Sequence, residues 1–510
     1  MLTRRRFILG SAGLSLLRTP SFSHGAAAND YVFTLGVGSG CPRADRVVLW
    51  TRLAPSPLAG GGMGLGDEQV RVRVCRDPGM TDAIIDALAL APADEGHSVH
   101  FHALGLEPGR EYWYQFYIGD QVSPIGRTRT APGSISSEPV RIALASCQAY
   151  ETGYYAAYRD MAEQLPDLVV HVGDYIYEGG AGGPERLRQH RGPEIQTLWD
   201  YRNRWAQYKM DPQLQAAHAA SPWLFSPDDH EIDNNWAGYT PQDPERQTDL
   251  EFRVRRWSAL RALYEHAPLE HRPTLSTVDS RLHSTLRLFD SFDFGRQLRL
   301  VLLDTRQYRS DQVCSQAFPS APHCEARLDP GITMTGAKQE QFLATQLATS
   351  SARWNVMAQQ VWFNRYRYPD NEYNMDQWDG YASQQARLHS RLTDPRLSNP
   401  VVLSGDWHIG CASDIPRDLA DPQSPAGAVE LAATSISSNC PWAGAVEAAL
   451  PDNPQVRYLS GNRRGYVLMD FDDTALRSQY RLVDDPTRAD SAVSADIELM
   501  VEAGRRGFAG

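Results

Sequence analysis

Five apolar, strand-like runs in this 510-residue chain end in side chains that can bind a cation or move a proton. Cys147 closes RIALASC. Asp174 and Tyr177 follow DLVVHVG, and Asp228, Asp229, His230 and Glu231 follow PWLFS. Asp304 and Arg306 follow LRLVLL, and Asp406 and His408 follow VVLSG. An Asp after a strand is, taken singly, most often a turn former or a helix cap. Cys147 alone would read as a small buried apolar residue, Tyr177 as a core or rim aromatic, and His408 as a packed imidazole. The combination says more, because carboxylates gathered at one sheet edge repel one another unless cations lie among them. A bridging carboxylate with His and hard oxygen donors around it is the design of a two-metal hydrolase, which activates water and stabilises charge on a phosphoryl group. Thiolate and phenolate donors favour a trivalent ion such as Fe³⁺, whereas carboxylate and amide oxygens suit Ca²⁺ or Mg²⁺. Two other hydrolase designs do not fit. Asn234 stands where HE-x-x-H needs its second His, and no G-x-S-x-G elbow marks a strand-to-helix turn.

Residues so far apart can meet only if the strands carrying them lie side by side. From about 139 onward, apolar runs alternate with helical stretches such as YYAAYRDMAEQL and AKQEQFLATQLATS, the pattern of a layered α/β domain. In such domains the loops leaving the strand C-ends build the site. The aromatic stretch 199–208 is expected to be one helix packed on the sheet. Residues 29–135 differ: short alternating runs (RVVLWTRL, VRVRVC, EYWYQFYIG) bounded by Gly, Pro, Asp and Asn suggest an Ig- or fibronectin-like β-sandwich. A linker rich in Ser and Pro joins it to the catalytic domain, 139–510. Gly36, Gly38 and Gly40 lack the spacing of a phosphate loop, and Pro42 follows them instead of a helix.

Asp and Glu number 62 against 50 Lys and Arg, a formal net charge of −12, which argues against a stable nucleic-acid partner and suits a carboxylate-lined cation site. Residues 1–28 read as a twin-arginine signal peptide: a basic cluster, a short apolar run and a terminal Ala26-Ala27-Ala28. Export to the periplasm or the medium by the twin-arginine machinery is therefore expected. No run is long enough for a membrane span. Of the seven Cys, Cys314 and Cys324 are close enough in the chain for a local disulfide.

SCQ, GDYIYE, DDHEIDNN, LDTRQYR and SGDWH, in that order, resemble the PhoD-type alkaline phosphatases of the calcineurin-like metallophosphoesterases. FTLGVGSGCPRADRVVLWTRL, GLEPGREYWYQF and GYVLMDFD extend the likeness over nearly all of the mature chain. The resemblance implies a phosphomonoesterase and phosphodiesterase that uses Fe³⁺ with one or two Ca²⁺ and attacks phosphorus through a metal hydroxide. Small phosphate esters are the implied substrates, and a monomer is expected. A phospholipase D-like action on lipid headgroups is the alternative on the same scaffold. Carried over by motif, Cys147, Asp174, Tyr177, Asp229, Asp406 and His408 are metal ligands, with Asp174 bridging. His230 contacts phosphate or protonates the leaving group. Asn235, with Asn234, holds phosphate or a second Ca²⁺, and Asp228 is an additional candidate. Arg306 either clamps a phosphate oxygen or forms a structural ion pair. The family's usual SGDP reads Ser39-Gly40-Cys41-Pro42 here, a departure expected to alter a turn and not catalysis.

Overall fold

Three parallel strands, Val140–Ala145, Leu168–His171 and Pro222–Phe225, form the middle of a nine-stranded sheet in the computed structural model, which describes residues 31–314 and 319–509. The proposed signal peptide lies outside the described residues. Alternate side chains of these strands enter two different cores, as the period-2 geometry of a strand requires. Ala143, Ala145, Val169 and Phe225 meet the aromatic faces of helices Ala156–Gln164 and Leu198–Lys209 and the long helix Asp249–His266. Ile142, Leu144, Val170 and Leu224 meet a second, seven-stranded sheet through Leu300, Val356, Val401 and Leu431. That sheet also has a parallel centre, Leu298–Leu302, Trp354–Ala358 and Pro400–Ser404, and its outer face is covered by helices Gly336–Ala348 and Ala382–Leu392. The result is a helix–sheet–sheet–helix stack. The stretch 199–208 lies in helix Leu198–Lys209, with Tyr201, Trp205 and Tyr208 buried against the first sheet.

The N-terminal β-rich region is joined to this stack by a sheet. Five of its strands form an antiparallel sheet, with Glu68–Cys75 and Glu111–Ile118 at the centre. The facing layer is Val37–Gly40, Arg46–Arg52 and Ser98–Leu104, and Val37–Gly40 pairs in parallel with Pro222–Phe225. One continuous sheet therefore serves both the N-terminal β-rich region and the layered stack. Cys41 sits where that pairing ends. Its thiol faces the Pro268 carbonyl, and burial pushes its pKa up to about 12, so it is chemically quiet. Cys314 and Cys324 form a disulfide, while Cys41, Cys75, Cys147, Cys411 and Cys440 are free. No described helix is long and apolar enough to cross a membrane.

Candidate metal centre

The two parallel strand sets point their C-ends at the same place, and the loops leaving them interlock. Gly173 and Gly405, which precede Asp174 and Asp406, are required by closeness. A Cβ on Gly173 would lie 2.3 Å from the Asp228 nitrogen, and one on Gly405 would lie 2.6 Å from Ser146 Oγ. Cys147 N–H donates to the Gly173 carbonyl (3.1 Å) and Gln148 N–H to the Asp174 carbonyl (2.9 Å). Glu231, fully buried, accepts from the backbone N–H groups of Asp174 (3.2 Å), Tyr175 (2.5 Å) and Asp228 (2.9 Å), so one carboxylate ties two ligand loops together. Cys147, Asp174, Asn235, Asp406 and His408 all have positive φ, between 52° and 60°. Each costs about 1–2 kcal/mol for a residue with a Cβ, a strain that clusters at functional sites.

Ligand-capable atoms of Cys147, Asp174 and His408 lie within 4.8 Å of one another, as do those of Asp174, Asp229 and His230, and those of Asp228, Asp229 and Asp406. Asp174 belongs to the first two groups and is thus placed to bridge. Tyr177 Oη donates to Asp174 Oδ2 (2.9 Å), lies 3.3 Å from His408 Nε2 and shares a 2.7 Å hydrogen bond with Ser438 Oγ. His408 Nδ1–H donates to the Asn439 carbonyl at 2.6 Å, which leaves the Nε2 lone pair facing the centre. Burial holds His408 neutral, with its pKa depressed to about 3. The second oxygens Asp174 Oδ1, Asp228 Oδ2 and Asp406 Oδ2 are buried without a hydrogen-bond partner.

The donor set fits cations. Burial raises the Asp174 carboxyl to about 7 and pushes Asp406, Cys147 and Tyr177 well above their ordinary values, with neighbouring carboxylates adding to the effect. Such groups ionise together only when a cation replaces their protons. Asp229 runs the other way. Burial opposes its charge, but Arg306, His230 and the Asn235 N–H (2.7 Å) prevail and hold it well below the usual carboxylate range.

The structure brings together all six expected ligands, Cys147, Asp174, Tyr177, Asp229, Asp406 and His408, with Asp228 beside them. His230 is partly exposed, with its ring tilted against Tyr177 at 4.2 Å between centroids and Nδ1 bonded to Glu178 Oε2 at 2.7 Å. Asn234 and Asn235 border the same loop and act through their backbone: Asn234 N–H donates to Glu178 Oε1 (2.8 Å) and Asn235 N–H to Asp229. Arg306 takes the ion-pair alternative and not the phosphate clamp. It has no exposed surface, Nε meets Asp228 Oδ1 at 2.5 Å, and its fork holds Asp376 through two 2.8 Å bonds. Its Nη2 also lies 3.9 Å from Asp229 and 4.0 Å from Asp406, so it braces the carboxylate frame from behind. Sequence reasoning missed Glu178, Asp376, Ser438 and Asn439. Only Glu178 carried a signal, as the charged end of GDYIYE. Segment 503–509 docks at the far end of the second sheet: Arg506 donates to the Asp394 carbonyl (2.7 Å) and Phe508 N–H to Asp414 (2.9 Å), so it does not cover the site.

Comparison with known proteins identifies the family. The profile of the PhoD-like phosphatases matches residues 142–480, and that of their N-terminal domain matches 19–132. Alkaline phosphatase D of Bacillus subtilis (strain 168) is 39% identical, over 99% of this chain and 88% of that protein. A solved structure of PhoD superposes with a TM-score of 0.88 at 37% identity, covering 96% of this chain and 93% of that one. Purple acid phosphatase PPD1 of yellow lupin shares the fold alone, with a TM-score of 0.56 at 13% identity, over 92% of this chain and 73% of the other. The chain is a member of the PhoD-like phosphatase family.

Proposed function

We propose that this PhoD-like phosphatase hydrolyses phosphate mono- and diesters at a mixed centre of Fe³⁺ and Ca²⁺, and that it works after export by the twin-arginine route. The observation that carries the reading is the division of donors about Asp174. A thiol, a phenol and an imidazole (Cys147, Tyr177, His408) stand on one side, and the carboxylates Asp229 and Asp406 on the other. Soft and phenolate donors suit iron, and hard oxygens suit calcium. Cys147, Tyr177, His408 and Asp174 would hold the iron, and Asp174, Asp229 and Asp406 the calcium. Bound there, the ions supply Lewis acidity at the phosphoryl oxygens and a nucleophile from water near neutral pH.

The chain's own groups do the rest. Glu231 and Arg306 hold the ligand loops and carboxylates in place before substrate arrives, which limits reorganisation during the reaction. His230, partly exposed beside Asp174 and Asp229, is placed to hydrogen-bond the ester and protonate the departing oxygen. The test is hydrolysis of bis(4-nitrophenyl) phosphate by the metallated protein, before and after chelation and with Ca²⁺ restored. Activity should vanish with the chelator, return with Ca²⁺, and fall at least about 10³-fold in Asp174→Asn, in which the bridging donor is lost. Undiminished turnover in that variant would overturn the reading.

A further inference from the structure

We propose that Trp442 is a specificity-determining residue at the rim of the metal centre, where its indole receives an aromatic ring carried by the phosphate ester. The inference rests on the phosphoesterase reading above and names a substrate class for it. That class is esters with an aromatic ring close to the ester oxygen, in preference to esters of small alkyl alcohols.

Water reaches the centre past His230, Asp406 and His408, whose side chains are 22%, 14% and 10% exposed, whereas that of Asp174 is 2% exposed. Trp442 stands on the His408 side of this opening. Its ring centroid lies 5.2 Å from that of His408, with the two planes tilted by 31°. The indole Nε1–H donates to the Trp407 carbonyl at 3.0 Å, so SGDWH, the loop that carries Asp406 and His408, also holds the indole. The Trp442 carbonyl accepts the N–H groups of Ala445 (3.0 Å) and Val446 (3.2 Å), which fixes its backbone at the start of helix Ala443–Ala448. The side chain packs on an apolar cluster that includes Trp362, Tyr366 and Trp407. Those three are buried, whereas Trp442 is partly exposed.

A large aromatic surface is thus held rigidly, half in water, beside the groups expected to grip a phosphoryl oxygen. A substrate anchored there must send its organic arm out through the same opening, and on the His408 side that arm meets the indole. The indole lies one ring's width beyond His408, so an aromatic ring near the ester oxygen spans the interval and a methyl group does not. A side chain already fixed in place loses little conformational freedom when a ring settles on it. Contact between two aromatic rings then favours such esters by about tenfold.

The test is isothermal titration of the fully metallated protein with benzylphosphonate, in which CH₂ replaces the ester oxygen, and with methylphosphonate. Wild type, Trp442→Ala, Trp442→Leu and Trp442→Phe are compared, with metal content measured in each. Wild type should bind benzylphosphonate about tenfold more tightly than methylphosphonate. Trp442→Ala, and Trp442→Leu, which keeps apolar bulk for folding, should cut that ratio below about threefold and leave methylphosphonate affinity and metal content within about twofold of wild type. Trp442→Phe should retain most of the ratio. The inference is overturned if wild type does not distinguish the two phosphonates or if the ratio survives loss of the ring. It is equally overturned if both affinities fall together with metal content, which would make Trp442 a support for His408 only. In each of these cases hydrolysis of bis(4-nitrophenyl) phosphate by wild type keeps the phosphoesterase reading. If the metallated wild type neither hydrolyses that ester nor binds either phosphonate, the phosphoesterase reading fails and takes this one with it.

Discussion

Replacing Arg306 by Met separates a brace from a substrate clamp. The guanidinium is sealed from solvent, 2.5 Å from Asp228 and 2.8 Å from both oxygens of Asp376. Asp376 keeps a second cation in Arg309, at 3.1 Å, so the loss falls mainly on Asp228. A unit charge pair about 4 Å apart at an effective dielectric near 20 is worth about 4 kcal/mol. That agrees with the roughly 3–5 kcal/mol measured when one partner of a buried pair is removed. With about 2 cal/mol/K of unfolding entropy per residue, a chain of this length should lose about 4 °C in Tm. The fall should be larger in chelated protein, because bound cations replace part of the missing charge at Asp229 and Asp406. KM for a phosphate ester should move by less than about threefold, since the fork is filled by carboxylates and cannot also hold substrate. Thermal melts of loaded and chelated protein, alongside KM, read both quantities. A tenfold rise in KM at unchanged Tm would refute the brace and restore the clamp.

Two further outcomes follow from buried charges. Lys209 is buried with its Nζ 4.3 Å from the Trp50 ring and 3.4 Å from His218 Nε2, and burial lowers its pKa from 10.5 to about 7. The unfolded chain therefore binds more protons between pH 7 and 10.5, so stability rises across that window and the penalty is fully present below pH 7. The shift corresponds to about 5 kcal/mol. Lys209→Met should therefore gain up to about 5 kcal/mol on wild type at pH 6 relative to pH 10.5 in denaturant titrations; a gap independent of pH would contradict this. Glu231→Gln presents an amide N–H₂ to one of the backbone donors it now serves, and should weaken metal retention by about 10–100-fold, as loss of an outer-shell partner does. Metal content after dialysis against a graded chelator checks it, and wild-type retention would show that the staple is dispensable.

The gathering of the candidate donors was legible because their placement obeys a rule of chain geometry, while the role of each came from the family resemblance. Parallel strands in register end together, so Cys147, Asp174 and Asp229, each a few residues beyond an apolar run, had to meet at one edge. The same logic on the second sheet delivered Asp406 and His408 to that edge. The glycine before each Asp in GDY and GDW is the local trace of the two sheets closing on one another. Nothing comparable announces Asp376, Ser438 or Asn439, which come from loops without periodicity and matter through one carboxylate, one hydroxyl and one backbone carbonyl. Alternation likewise announced the N-terminal sandwich but not its partner. A strand such as Val37–Gly40 shows the same faces whether its edge is free or paired, and only the fold reveals that it continues the catalytic sheet through Pro222–Phe225. Arg306 marks the limit of residue type as evidence. A guanidinium matches phosphate and carboxylate equally well, and its role was decided by Asp228 and Asp376 lying closer than any substrate can.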